Sequence, residues 1–170
     1  MTWEEYALGI AEVAAGKSKD PWQKVGACVL RNDNTIAGIG YNGFPAGMEE
    51  DWEDRDKRRL FVVHAEQNAL RYVKPNECRL IAVTLLPCND CLRSIASHGI
   101  RRVVFRDVYE RDGTSICVAG EFGIELVQIG QGEISSYWDH SGKPSVFVVQ
   151  ENGIEIYRGG YKEGEKLLRK

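Results

Sequence analysis

His64 and Glu66 stand two positions apart, and Pro87-Cys88-Asn89-Asp90-Cys91 follows, its first cysteine 24 residues after the histidine. One imidazole and two thiolates make a three-donor set for Zn2+ that leaves the fourth tetrahedral position to a water, the arrangement of a site that does chemistry. Cys88 and Cys91 in the first turn of a helix would send both sulfurs to one side, where free backbone N–H groups favour the thiolate. Glu66 can then reach the bound water without occupying the metal. Zinc lowers that water's pKa towards ~7, and a neighbouring carboxylate can take its proton and return it to a leaving amine. Each part alone has a plainer reading: a lone histidine is usually a packed or solvated side chain, and an isolated C-x-x-C is half a zinc ribbon or a redox pair. A ribbon needs a second pair, and Cys28, Cys78 and Cys117 lie too far apart to give one. A redox pair leaves the upstream His-x-Glu unexplained.

The elements that must position these residues follow from periodicity. Apolar residues at Trp3, Tyr6, Ala7, Ile10, Ala11 and Ala14 predict an amphipathic helix over 3–15. Val25–Leu30 and Ile36–Tyr41 read as strands joined by a turn at Asn32-Asp33-Asn34. Residues 44–59 read as a long surface loop with a short helix near its end. Helices are expected over 64–72 and 88–98, the second stopped by Gly99, with strands over 80–86, 102–105 and 124–129 and a short helix before the last. Strand and helix alternation predicts an α/β domain with a central sheet covered by helices. Val146–Gln150 and Ile154–Arg158 flank Glu151-Asn152-Gly153, a hairpin signal.

With 170 residues the chain suits a single domain over 1–170, with a core of about 1–130 and an extension of about 131–170. Its 43% hydrophobic and 28% charged residues exclude a disordered or fibrous chain. Lys plus Arg number 22 against 25 Asp plus Glu, a charge of −3, so a nucleic-acid strand is a poor partner. No apolar run approaches the ~18 residues of a membrane span, the N-terminus is acidic, and five cysteines form no disulfide framework, which together predict a cytoplasmic protein.

His-x-Glu followed by Pro-Cys-x-x-Cys is the signature of zinc nucleobase deaminases. The flanking residues Val25-Gly26-Ala27-Cys28-Val29, Gly38 to Pro45, His64 to Ala69 and Thr84 to Cys91 narrow this, and residues 20–109 resemble the deoxycytidylate (dCMP) deaminase family. The resemblance implies a cytidine deaminase-like three-layer sandwich, with a central mixed sheet of about five strands flanked by helices and an extra C-terminal hairpin. It implies His64, Cys88 and Cys91 as ligands of one zinc per chain and Glu66 as general acid and base. It implies substrate contacts at Asn42, the Ala65 N–H, Pro87 and Tyr109. Gly40, Tyr41 and Gly43 belong to a stretch that also fits a dinucleotide fingerprint, but no helix opens after it. The resemblance suggests a substrate or effector loop there, and glycines that merely turn the chain after a strand are the alternative for Gly38 and Gly40.

The activity so implied is hydrolysis of dCMP to dUMP and ammonia, supplying dUMP for thymidylate synthesis. The resemblance further implies dCTP and dTTP as effectors and a homo-oligomer, a hexamer above all. Three alternatives stay open: another cytosine nucleotide (dCTP or a 5-substituted dCMP), bases in nucleic acid, and a non-catalytic fold in which zinc is structural and Glu66 idle. A monophosphate needs cations, and Lys24, Arg55, Arg58, Arg59 and Arg93 are available without a ranking.

Overall fold

Helix α1 (Trp3–Ala15) starts where its sequence says it should: Thr2 Oγ1 accepts from the Glu5 N–H at 3.1 Å, and Glu5 Oε2 accepts from the Thr2 N–H at 2.6 Å. The computed structural model describes residues 1–108, 114–130, 134–139, 141–151 and 154–168. Strands β1 (Gly26–Arg31) and β2 (Ile36–Tyr41) pair antiparallel through a turn in which Asn34 takes φ 68°. Helices α2 (Arg55–Phe61) and α3 (Ala65–Leu70) lead to β3 (Cys78–Leu85), α4 (Asn89–Ser97), β4 (Arg102–Asp107), α5 (Thr114–Glu121) and β5 (Glu125–Ile129). Gly99 follows α4 with φ 77°, the left-handed conformation that ends a helix most cheaply at glycine.

These strands form one mixed sheet in the order β2-β1-β3-β4-β5, with β3, β4 and β5 parallel and β1 antiparallel to both neighbours. The expected five-strand core is present. The sheet then continues through β6 (Ile134–Asp139), β7 (Val146–Glu151) and β8 (Ile154–Gly159) to eight strands, all three added antiparallel. The expected hairpin is β7–β8. Sequence reading missed β6, whose Ser135 and Ser136 break the apolar alternation, and α6 (Tyr161–Leu168), whose charged residues read as a solvated tail.

Alternation along the strands divides two cores. Cys28, Leu30, Leu80, Ala82, Val104 and Val127 meet Ala7, Leu8 and Ala11 of α1 on one face. Ala27, Val29, Ile81, Val83, Val103 and Phe105 face α3, α4, α5 and α6 on the other, so the layers are helix, sheet and helices. Trp138 and Phe147 extend that second core, with ring centroids 5.3 Å apart, and Tyr161 of α6 lies 5.0 Å from Phe147. Trp138 therefore packs in the core, and His140 lies outside the described residues. Among the described residues no helix is long and apolar enough to cross a membrane.

The glycine-rich stretch has a packing role. A Cβ on Gly38 would sit 2.0 Å from the Ala69 carbonyl oxygen, and one on Gly40 would sit 2.3 Å from that of Ala65. Only bare backbone lets α3 lie this close to β2. Gly40 lies on β2, buried beneath the helix that carries Glu66. Tyr41 is 42% exposed on the outer strand, and Gly43 pairs with Val63 in an isolated bridge.

Candidate metal centre and active site

Two loops bring the chemistry together at one end of the sheet. β2 hands the chain through the Gly43–Val63 bridge to His64, the N-cap of α3, and β3 hands it through Leu86 and Pro87 to Cys88, the N-cap of α4. Cys91 follows one turn into α4 and is fully buried. Cys88 Sγ lies 3.6 Å from His64 Nδ1, and Cys91 Sγ lies 3.4 Å from the same nitrogen. Tetrahedral zinc with S and N ligands at ordinary bond lengths places such donors about 3.6 Å apart, so both sulfur–nitrogen spacings fit the ion. Among the described residues this is the one group of three such donors within 4.8 Å of one another.

The electrostatics are those of a site ready for a cation. The thiol of Cys91 donates to Cys88, which brings the Cys88 pKa down to about 3, with His64 helping and burial opposing. The same contact, together with burial, raises the Cys91 pKa, and the Cys88 contact raises that of His64. One thiolate is thus present before any metal arrives, and ligation of Cys91 requires loss of its proton. Glu66, second residue of α3, is 4% exposed beside these groups, and burial holds its carboxyl above the usual carboxylate range. A carboxyl whose pKa is raised towards neutrality can receive a proton as the carboxylate and donate it again as the acid.

A pocket of about 630 Å3 opens over this floor, lined by His64, Ala65, Glu66, Leu85, Leu86 and Cys88 on the metal side. Its other wall contains Asp20, Trp22, Gln23 and Asn42, with Arg55, Arg58 and Arg59 from α2 and Ser115 from α5. Asn42 stands at the wall with its amide committed: Oδ1 accepts from the Val25 N–H at 2.8 Å, and Nδ2 donates to Gln23 O at 2.9 Å and to Asp20 Oδ2 at 3.3 Å. It therefore braces the loop between α1 and β1, and only a lone pair on Oδ1 is left for a ligand.

The structure brings together His64, Ala65, Glu66, Cys88, Cys91 and Asn42, and Pro87 is buried between the pocket-lining Leu86 and Cys88. Gly40, Tyr41 and Gly43 are outside the pocket lining. Tyr109 lies outside the described residues. Of the candidate cations, Arg55, Arg58 and Arg59 line the pocket, whereas Lys24 does not and Arg93 pairs with Asp90. Sequence reading gave no site role to Trp22 or Ser115. Trp22 follows Asp20-Pro21, a turn signal that could have marked the loop, and nothing at Ser115 distinguishes it from an ordinary helix start.

Residues 1–107 match the family model for the cytidine and deoxycytidylate deaminase zinc-binding region. The deoxycytidylate deaminase of Pongo abelii is 38% identical over 115 residues, covering 62% of this chain and 65% of that one. The chain thus spans just under two thirds of that relative's length. The deoxycytidylate deaminase of Mycobacterium phage D29 is 39% identical over 123 residues, 61% of this chain and 93% of that one. The crystal structure of dCMP deaminase from the cyanophage S-TIM5 in complex with dCMP and dUMP superimposes with a TM-score of 0.65 at 32% identity, covering 74% of this chain and 95% of that one. The matched residues contain His64, Glu66, Cys88 and Cys91, and they end where β4 ends. By donor set, fold and sequence, the chain belongs to the cytidine and deoxycytidylate deaminase zinc-binding family.

Proposed function

We propose that the chain hydrolyses dCMP to dUMP and ammonia. The observation that carries this reading is the meeting of a zinc-spaced donor triad with a buried carboxyl of raised pKa at the floor of a nucleotide-sized pocket. Likeness to a dCMP deaminase solved with dCMP and dUMP supports the choice of base and product. Zinc held by His64, Cys88 and Cys91, one ion per chain, would supply an acidified water as the nucleophile.

The residues of the chain account for the rest. Glu66 takes the proton of the attacking water and passes it to N3 as oxygen bonds to C4. It then carries the second proton to the amino nitrogen, the C4–N4 bond breaks, and ammonia leaves with dUMP behind. The Ala65 N–H, at the first position of α3 where helix donors lack an intrahelical acceptor, is placed to meet the pyrimidine O2. Carbonyls of Leu86 and Pro87 would accept from the amino group, which selects cytosine over uracil. Asn42 offers its remaining Oδ1 lone pair to a sugar hydroxyl, and Tyr109 is assigned a substrate contact by family resemblance alone.

Chain length supports a single 1–170 deaminase domain, composition supports a cytoplasmic setting, and the family resemblance supports a homo-oligomer, a hexamer in the first instance. On this reading it supplies dUMP for thymidylate synthesis under activation by dCTP and inhibition by dTTP, a coupling between sites that subunit interfaces would carry. The test is ammonia release from dCMP, dCTP, 5-methyl-dCMP, deoxycytidine and a cytosine-containing oligonucleotide. The proposal expects dCMP to have the highest kcat/KM. Preference for another of these, or inertness towards all, overturns it, and a hyperbolic dCMP curve unmoved by either triphosphate removes the regulation.

A further inference from the structure

Among the described residues, every arginine outside α2 is occupied. Arg31, Arg79, Arg93, Arg102, Arg106 and Arg158 are in ion pairs, Arg71 donates to Asn68, and Arg101 donates to carbonyls at the end of α4. Arg55, Arg58 and Arg59 have no ion pair or hydrogen bond for their guanidinium groups among the described residues. Their i, i+3, i+4 spacing puts them on one face of α2, and that face lines the metal-bearing pocket. Asp20, the acidic neighbour on the same wall, makes no ion pair with them among the described residues. Its Oδ1 accepts from the N–H groups of Trp22 and Gln23, at 2.9 and 3.0 Å, and its Oδ2 accepts from Asn42. Lys57 points elsewhere, to Asp51 at 3.0 Å.

Arg58 differs from its two neighbours. Its guanidinium carbon lies 4.0 Å from the centroid of the Trp22 ring, and its Nε is buried with no hydrogen-bond acceptor. The guanidinium's outer N–H groups have no partner among the described residues either, and an anion in the pocket that Arg58 lines would supply one. We propose that Arg58 is the residue that binds the 5′-phosphate of the substrate nucleotide and that Trp22 is a positioning residue that holds the Arg58 guanidinium in place by stacking. This rests on the reading of the chain as a nucleotide deaminase and adds which residues make it one. A phosphate dianion matches the planar donor fork of an arginine, and Arg55 and Arg59 on either side supply further positive charge. An arginine already stacked loses less freedom on binding than a free one, which is the contribution of Trp22.

The test compares the zinc-loaded chain with its Arg58→Gln, Trp22→Leu and Trp22→Phe variants. The readout is the ratio of kcat/KM for dCMP to that for deoxycytidine. The ratio is expected to fall about 10- to 100-fold in Arg58→Gln, through KM, as loss of a charge-assisted contact implies. It should fall about three- to fivefold in Trp22→Leu and be largely restored in Trp22→Phe, since either aromatic ring can stack. If Trp22 merely anchored its loop, the leucine variant would affect both substrates alike and leave the ratio unmoved, which overturns its positioning role. An unmoved ratio in Arg58→Gln overturns the phosphate assignment. Equilibrium binding of dUMP against deoxyuridine reads the same discrimination without turnover. A chain that binds dUMP through Arg58 yet releases no ammonia would refute the activity and keep the inference, and a chain indifferent to the phosphate would refute the inference whatever its activity.

Discussion

Replacing Glu66 with glutamine removes a proton carrier while leaving its volume and hydrogen-bonding outline in place. The side chain is 4% exposed, and burial raises the carboxyl's pKa above the usual carboxylate range, so an isosteric neutral amide suits the same surroundings. The stability change is expected to stay within about 1 kcal/mol, which moves the melting temperature of a domain this size by no more than about 4 °C. Zinc should stay bound, because the donor triad is His64, Cys88 and Cys91. Turnover should fall steeply. The pocket's other carboxylate, Asp20, is committed to Trp22, Gln23 and Asn42 and offers no substitute base. Loss of a general acid and base costs about 10^2- to 10^4-fold in rate, or about 3–5 kcal/mol of barrier at 1.36 kcal/mol per decade. Ammonia release from dCMP at saturation, run beside zinc analysis of the same sample, measures this directly. A zinc-replete Glu66→Gln chain with undiminished kcat would refute the proton-carrier role.

Gly40→Ala should lower both stability, by about 1–3 kcal/mol, and kcat, because the new Cβ would lie 2.3 Å from Ala65 O and 2.4 Å from Ala69 N and must push α3 away; thermal melting and ammonia release unchanged from the parent would show that this contact is dispensable. Phe147→Ala opens the aromatic cluster with Trp138 and Tyr161 and should cost about 3–5 kcal/mol, a fall of about 10 °C in melting temperature. Zinc content of the folded fraction should be normal, since Phe147 is neither a pocket-lining residue nor one of the metal donors. Zinc uptake should release protons near neutral pH, because Cys91 keeps its thiol proton in the metal-free site. Acid then competes with the metal, and affinity falls as pH falls. Calorimetric titration in two buffers of different ionisation enthalpy reads that release, and an identical heat in both would contradict it.

Much of this arrangement was legible in the sequence because the elements that carry the site are locally consistent. The α1 periodicity has a capping box before it, β1 and β3 are apolar runs of strand length, and the paired cysteines open a helix that a glycine closes. The spacing of His64, Glu66, Cys88 and Cys91 points to one centre because metal ligation restricts residue types far more tightly than packing does. Other features depend on long-range partners that periodicity cannot reveal. Gly38 and Gly40 look like loop glycines until α3 is seen lying against them. Residues 134–139 are a strand because Ser136 donates to Gln128 O at 3.0 Å and Trp138 reaches the core, compensations that a polar sequence does not advertise. The choice among Lys24, Arg55, Arg58, Arg59 and Arg93 required knowing which cations already had partners.

The account depends on a metal held by two sulfurs and one nitrogen, with room for one further oxygen. X-ray absorption at the zinc edge of the purified chain tests this most directly. The expected result is one zinc per chain with two sulfur neighbours at about 2.3 Å and two nitrogen or oxygen neighbours at about 2.0 Å. Four sulfur neighbours, or a chain that takes up no zinc, would contradict it.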